Sequence, residues 1–437
     1  MNRSRIFLSH RLTAIIPGSA AVARSEASEL NPKRTLSITI ASVFLCLPAL
    51  ADSPDGVLAP MVERLAKGGE SAYSYVLRQY NRVESAKRLD VFGRHEVHKG
   101  LLKALRTRVD KDLLSVVRGL IKKTLSSVYP SQVLGLKAFA GSGAGGDLKS
   151  GILELYTEAT RSKDRGIQTW AVRLLVDSGW PEGVDVLIAR LREEEDTGRH
   201  LEDLASVIQS ELYRALGAAG VGDAGAVKKR WDDMGKELPD EPNYDPKAVS
   251  GGGNTVFFGD RIALRAIFCI DISSSMKGQV KMPGKGSSPK VEIVKGELAK
   301  AVGGLSRESL FTIIPYDGTA KTWRGRGQLQ PGTRTNVLAA EGFAKSLQTG
   351  SGTNIHDSLV LALKVKGVET IYLLSDGAPS RGGGPAEIKK RVAALNYLLG
   401  VRVVTYGFTG SDEKLMKDLA GRNWGWYRAL NKARKKK

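Results

Sequence analysis

The sequence predicts an α/β domain, with a mostly parallel sheet covered by helices on both faces, preceded by an all-helical domain. Three observations predict it. Residues 52–238 carry a helical repeat of apolar residues, and 239–260 hold three prolines and a glycine triplet. From 261 to 430, short apolar strands then alternate with helices, which is the pattern of a parallel sheet with helical crossovers. A lysine-rich tail follows at 431–437.

The helical region contains segments such as "VHKGLLKALRTR" and "GIQTWAVRLLVDSG", with apolar residues at i, i+3, i+4 and i+7. Two stretches within it look like copies. The matching positions lie 41 residues apart, a spacing typical of HEAT-type helix pairs: Arg173, Leu175, Gly179 and Val186 match Arg214, Leu216, Gly220 and Val227. The region therefore resembles a degenerate HEAT-like array, and an irregular helical bundle remains the alternative.

The amino-terminal residues have the features of an export signal. Lys33 and Arg34 precede "TLSITIASVFLCLPALA", a stretch without charge that ends in the small-x-small pattern Ala49-Leu50-Ala51. We expect residues 1–51 to form a leader that is removed, and the protein to be exported to the periplasm, cell surface or medium. A membrane anchor is the alternative, but the apolar run is short for a span. We therefore expect no transmembrane span in the mature chain.

Composition limits the protein class. A hydrophobic share of 42% and a charged share of 26% over 437 residues are ordinary for globular domains. The net charge of +20 is not ordinary, and it favours anionic partners or surfaces. Cys46 lies in the expected leader, so Cys269 would remain alone without an intramolecular disulfide partner. We expect Cys269 to be a small core residue.

Four apolar stretches predict the strands of the α/β domain: Ile262–Ile270, "LFTIIPY", "VETIYLLS" and "VRVVTYGF". Ligands of such folds bind beyond the carboxyl ends of the parallel strands. Asp271 directly follows the first strand and Asp376 the third. The sequence thus predicts a site at this edge of the sheet.

Oxygen-bearing side chains gather at these strand ends. Asp271, Ser273 and Ser275 lie in "DISSSM", Thr353 in "GTN" and Asp376 in "SDG". Two carboxylates and three hydroxyls are hard donors that suit Mg²⁺ or Mn²⁺ rather than Zn²⁺. For "DISSSM" alone, the alternative is that the serines cap a helix.

These motifs resemble the metal-ion-dependent adhesion site of the von Willebrand factor type A domain, whose pattern is Asp-x-Ser-x-Ser, a distant Thr and a later Asp-Gly. The resemblance covers about residues 261–430, and Ser274 stands where many relatives carry glycine. It implies a Rossmann-like α/β fold and an Mg²⁺ (or Mn²⁺) ion held by the five oxygen-bearing residues. It also implies a protein ligand that offers an Asp or Glu carboxylate.

The leading hypothesis is an exported, non-enzymatic binding protein of the adhesion type, with a helical scaffold. One alternative is a polyanion-binding surface protein that uses the lysine-rich loop at 277–290 and the tail. Since export disfavours nucleic acid, its partner would be anionic lipid or polysaccharide. A second alternative is a hydrolase that uses one of the serines 273–275 with His356 and an aspartate. The chain lacks a G-x-S-x-G elbow, and a metal-bound serine is a poor nucleophile.

Overall fold

The computed structural model describes residues 53–86, 89–198, 203–240, 256–282, 286–325 and 327–431. All of them belong to one compact unit, Ala51–Lys437. The expected leader (1–51), most of the expected linker (241–255) and the basic tail beyond residue 431 lie outside the described residues. The predicted domain boundaries therefore stay predictions.

The described residues before 241 form α-helices joined by short loops, which confirms the predicted all-helical region. The helices are α1 Pro54–Ala66, α2 Gly69–Ala86, α3 Val91–Arg106, α4 Lys111–Ile121, α5 Tyr129–Phe139, α6 Gly146–Ala159, α7 Arg165–Asp177, α8 Pro181–Asp196, α9 Asp203–Leu216 and α10 Ala224–Asp233. The predicted sequence copies fall on the helix pairs α7–α8 and α9–α10. Whether these pairs are HEAT-type repeats stays a prediction.

Aspartate side chains begin several of these helices. Asp90, Asp110 and Asp223 each accept a hydrogen bond of 2.7 Å from the backbone amide three residues later, and Asp164 accepts one of 3.1 Å. Each cap satisfies an amide that has no partner within its helix, and a cap of this kind typically contributes about 1 kcal/mol. The helix starts are therefore encoded locally in the sequence.

The second half of the chain contains a six-stranded sheet in the order β10-β9-β8-β3-β6-β7. Its strands are β3 Arg265–Asp271, β6 Leu310–Tyr316, β7 Gln330–Pro331, β8 Thr370–Ser375, β9 Arg402–Gly407 and β10 Tyr427–Ala429. All neighbours pair in parallel except the short edge strand β7. Two small hairpins accompany the sheet, formed by β1 Val256–Phe257 with β2 Asp260–Arg261, and by β4 Gln279–Lys281 with β5 Ser287–Pro289.

Helices cover both faces of this sheet: α11 Lys290–Gly303, α12 Arg334–Ser346, α13 Ile355–Lys364, α14 Pro385–Asn396 and α15 Glu413–Arg422. Strand β3 alternates between two cores. Phe268 packs with residues of α11 and α12, whereas Cys269 packs with residues of α13, α14 and α15. Cys269 is fully buried, as predicted. The predicted fold class, a mostly parallel α/β sheet after an all-helical region, is confirmed.

The helical region contacts the amino-terminal edge of the sheet. Glu369, directly before β8, pairs with Arg165 of α7 at 3.3 Å. Arg402, the first residue of β9, pairs with Glu211 of α9. Trp170 Nε1 and Tyr129 Oη each donate a 2.9 Å hydrogen bond to the carbonyl of Leu398. Because these strands are parallel, their carboxyl ends lie at the opposite edge, away from these contacts.

Candidate metal centre

Two neighbouring strands bring the predicted carboxylates to one edge of the sheet. Asp271 is the last residue of β3, and Asp376 directly follows β8. The two strands pair in parallel, with Ile270 opposite Leu374. The side chains of both aspartates are almost completely buried. The strand ends thus place two carboxylates side by side, as the sequence predicted.

A chain of hydrogen bonds joins these carboxylates through the serine motif. The amide of Ser273 donates to Asp271 Oδ1 at 2.8 Å. The hydroxyls of Ser273 and Ser275 lie 2.9 Å apart, and Ser275 Oγ donates to Asp376 Oδ1 at 2.7 Å. Four of the five predicted site residues therefore form one connected cluster.

Thr353 lies beside this cluster in the loop before α13. A Cβ atom added to Gly377 would lie 3.8 Å from Thr353 Oγ1 and 3.9 Å from Ser275 Oγ. Both hydroxyls are therefore close to the space that a side chain at position 377 would occupy. The Thr353 loop is tied to the loop after β8, because the amide of Thr353 donates to Ser380 Oγ at 2.9 Å. The structure brings all five predicted residues together.

Burial controls the charge of Asp271. It raises the pKa of this carboxyl from 3.8 to about 6, although hydrogen bonds from Ser273 and Ser375 lower it. The contact from Ser375, whose Oγ donates to Asp271 Oδ2 at 2.8 Å, was not predicted as part of the site. Nearby Asp376 raises the pKa further. An additional positive charge nearby would offset the free-energy cost of burying two neighbouring carboxylates.

Lys290 supplies such a charge. Its Nζ lies 2.7 Å from Asp376 Oδ2, and this ion pair is shielded from solvent. The sequence placed Lys290 only at the end of a lysine-rich loop, so this contact was missed. One indication was available: a lysine in the first turn of a helix is unfavourable for the helix dipole unless another group compensates it.

The chemistry of the donors fits a hard divalent cation. The five side chains offer only oxygen atoms, and one carboxylate already accepts a cationic group, the Lys290 ammonium. Among the described residues there is no group of three or more His, Cys, Asp or Glu side chains arranged to hold a metal. Three of the five predicted donors are hydroxyls, which are outside that set of residue types.

The serines and His356 do not form the relay that a serine hydrolase requires. His356 Nδ1 is 2.7 Å from Asp357 Oδ1, and its Nε2 is buried without a hydrogen-bond partner among the described residues. The hydroxyls of Ser273 and Ser275 bond to each other and to Asp376 instead. Among the described residues, no hydrogen bond therefore links His356 to Ser273 or Ser275.

Comparison with known proteins gives partial matches. Inter-alpha-trypsin inhibitor heavy chain H4 from Bos taurus is 30% identical over 183 residues, which is 39% of this chain and 19% of that protein. The Homo sapiens protein of the same name is 30% identical, covering 36% and 17%. Human von Willebrand factor A domain-containing protein 3B is 27% identical, covering 37% and 11%. The chain thus spans less than a fifth of the length of these relatives.

Solved structures give low overall similarity. A von Willebrand factor type A protein from Catenulispora acidiphila has a TM-score of 0.32 at 19% identity, covering 38% of each chain. The RO (RSR) protein of Deinococcus radiodurans has a TM-score of 0.23 at 14% identity, covering 77% of this chain and 76% of its own. No protein-family profile matches the chain. The sequence relatives support the resemblance of this chain to proteins with a von Willebrand factor type A domain.

Proposed function

We propose that this protein is an exported, non-enzymatic binding protein of the adhesion type, which holds an acidic protein ligand through a divalent cation, Mg²⁺ or Mn²⁺. One observation carries the proposal. Side chains from two strand ends and one separate loop converge on a single cluster of oxygen donors, linked by the bond from Ser275 Oγ to Asp376 Oδ1. Residues that only cap a helix do not need partners from three parts of the chain.

Asp271, Ser273, Ser275, Thr353 and Asp376 would hold the ion. Mg²⁺ prefers six oxygen ligands, so five protein donors leave a position for an oxygen from outside. The ion would supply a positive charge that attracts and binds the carboxylate of an Asp or Glu side chain. The protein residues hold their oxygens in place beforehand, which reduces the cost of ordering them when the ion binds.

The arrangement of the two regions supports a scaffold role for the helices. The helical region packs on the amino-terminal edge of the sheet through pairs such as Arg165–Glu369. The candidate metal centre lies at the carboxyl edge, directly after β3 and β8. A partner could therefore reach the centre without displacing the helices.

Exposed lysines near the centre favour an acidic partner. Lys277 follows the serine motif directly, and Lys281 lies on the hairpin after it; both are exposed. Such charges mainly increase the rate at which an acidic partner associates. They are also the observation that favours the second candidate function, cation-independent binding of an anionic lipid or polysaccharide surface.

Export is part of the proposal and rests on the leader pattern at 1–51. Among the described residues, every helix is too short or too polar to cross a membrane. Sequencing the amino terminus of the protein isolated from the source cells together with their medium tests this part. A mature chain that begins at Asp52 supports export, and a chain that retains Met1 contradicts it.

The binding proposal is tested by capture from extracellular material. Immobilised wild type should retain acidic proteins in Mg²⁺ and release them in EDTA, and Asp271→Ala should retain none. Asp418→Ala is the matched control, because Asp418 pairs with Lys389 on the surface, away from the centre. Retention that persists in EDTA but is lost in high salt would contradict the proposal and favour the polyanion-binding alternative.

A further inference from the structure

We propose that Lys290 is a built-in counter-ion of the candidate metal centre, which competes with the divalent cation for Asp376 and thereby sets the affinity of the centre. This inference rests on the proposed cation site and concerns a residue outside the five donors. It makes cation binding an exchange between an ammonium group of the protein and a metal ion.

The carboxylate of Asp376 already has two partners. Its Oδ1 accepts the hydrogen bond from Ser275, and its Oδ2 accepts the Lys290 ammonium at 2.7 Å. The Asp376 side chain is 0% exposed and the Lys290 side chain 14%. Both carboxylate oxygens therefore already have a partner, and a cation that binds Asp376 must share it with Lys290 or displace it.

The backbone holds Lys290 in this position. Strands β4 and β5 pair so that Gln279 lies opposite Pro289, and the amide of Lys290 donates to the carbonyl of Gly278 at 3.0 Å. A Cβ atom on Gly278 would lie 3.8 Å from the Lys290 Cε and Nζ. The end of the Lys290 side chain thus packs beside Gly278, close to the serine motif.

Helix electrostatics does not account for a lysine here. Lys290 is the first residue of α11, where the helix dipole disfavours positive charge. Its compensation comes from Asp376, on a different element. A contact held by the hairpin against the local preference is consistent with a role in the centre rather than in starting the helix.

The competition has a definite consequence for binding. Two positive charges next to one buried carboxylate repel each other, and this repulsion is strong where water is largely excluded. Removing the lysine charge should therefore strengthen cation binding about tenfold or more, where each factor of ten corresponds to about 1.4 kcal/mol. It should also destabilise the protein without the ion, since a buried carboxylate loses its charged partner.

The test is Mg²⁺ titration of the full mature chain by calorimetry, with melting curves in EDTA and in Mg²⁺. The variant is Lys290→Met, and Lys290→Gln retains a neutral hydrogen-bond donor in case Lys290→Met does not fold. Lys295→Met is the matched control, because Lys295 lies on the same helix, is 13% exposed and pairs with Glu292 instead. Lys290→Arg retains the charge and should bind like the wild type.

We expect Lys290→Met and Lys290→Gln to bind Mg²⁺ about tenfold more tightly than wild type. In EDTA their melting temperatures should be lower than that of wild type, and Mg²⁺ should raise them by more. Equal affinity in wild type and both variants would overturn the role of Lys290 and leave the cation site intact. If neither the wild type nor any variant binds Mg²⁺, the cation site itself is overturned, and so is the role of Lys290 as its counter-ion. Tighter binding in Lys295→Met as well would show a general charge effect and contradict the inference.

Discussion

Replacing Glu211 by Gln should strongly destabilise the contact between the helical region and the sheet. Glu211 is fully buried and accepts hydrogen bonds from Arg173 and Arg214 of the helical region and from Arg402 of β9. Arg173 and Arg402 are also buried. Since the variant leaves these guanidinium groups without their shared negative charge, we expect a loss of about 3–5 kcal/mol in the free energy of unfolding.

The pKa of Glu211 supports the same sign. Burial alone would raise it, but Arg214, Arg402 and Arg173 together lower it from 4.5 to about 2. At about 1.4 kcal/mol for each pKa unit, this shift corresponds to about 3 kcal/mol. The folded pKa is below the unfolded one, so this stability is present above pH 4.5 and is lost as the pH falls toward 2.

Urea unfolding followed by circular dichroism and tryptophan fluorescence measures the effect. Glu193→Gln is the control, because Glu193 pairs with Arg161 at the surface and should contribute at most about 1 kcal/mol. Mg²⁺ affinity should not change in Glu211→Gln, since Glu211 lies at the opposite sheet edge. Unfolding of Glu211→Gln at the same urea concentration as Glu193→Gln would show that Glu211 does not stabilise this contact.

Three further results are expected. Gly377→Val should abolish Mg²⁺ binding and leave the circular dichroism spectrum unchanged, because the valine side chain would enter the space next to Thr353 Oγ1 and Ser275 Oγ. Calorimetry measures the affinity, and an unchanged affinity would contradict the placement of the site. Thr353→Ala should weaken Mg²⁺ binding less than Asp376→Ala, since it removes a neutral donor and no charge; the order of the two dissociation constants decides. Burial holds the pKa of His98 well below 6.5, so the unfolded chain takes up the proton first as the pH falls. The free energy of unfolding should therefore decrease below about pH 6.5. This decrease should be smaller in His98→Gln, and an equal decrease would rule out His98 as its source.

The candidate site was predictable from the sequence because its parts follow simple rules. Asp271 ends one apolar strand and Asp376 directly follows another, and parallel strands place their carboxyl ends at one edge. The first strand was predicted at 262–270, whereas β3 is Arg265–Asp271. Ile262 and Ala263 are buried but lie before the paired residues, and burial without pairing cannot be distinguished from a strand in a single sequence.

Contacts that depend on tertiary packing could not be predicted. Lys290 reaches Asp376 only because the pairing of β4 with β5 brings the chain back beside Gly278. Arg173 and Arg214 were identified as matching positions of two sequence copies. Glu211 and Arg214 lie three residues apart on α9, but the contacts of Glu211 with Arg173 and Arg402 depend on how α7 and α9 pack against β9. Charge pairs between distant elements leave no periodic pattern in the sequence, and so the contact between helices and sheet appeared only in the structure.

The most direct test of the cation site is the melting temperature of wild type and Asp271→Ala as a function of Mg²⁺ concentration. An ion that binds only the folded chain stabilises it by about 2.7 kcal/mol at 100 times its dissociation constant. The melting temperature of wild type should therefore rise with Mg²⁺, while that of Asp271→Ala stays flat. If both respond equally, the five oxygen-bearing residues hold no ion and the serine motif only orders the turn after β3.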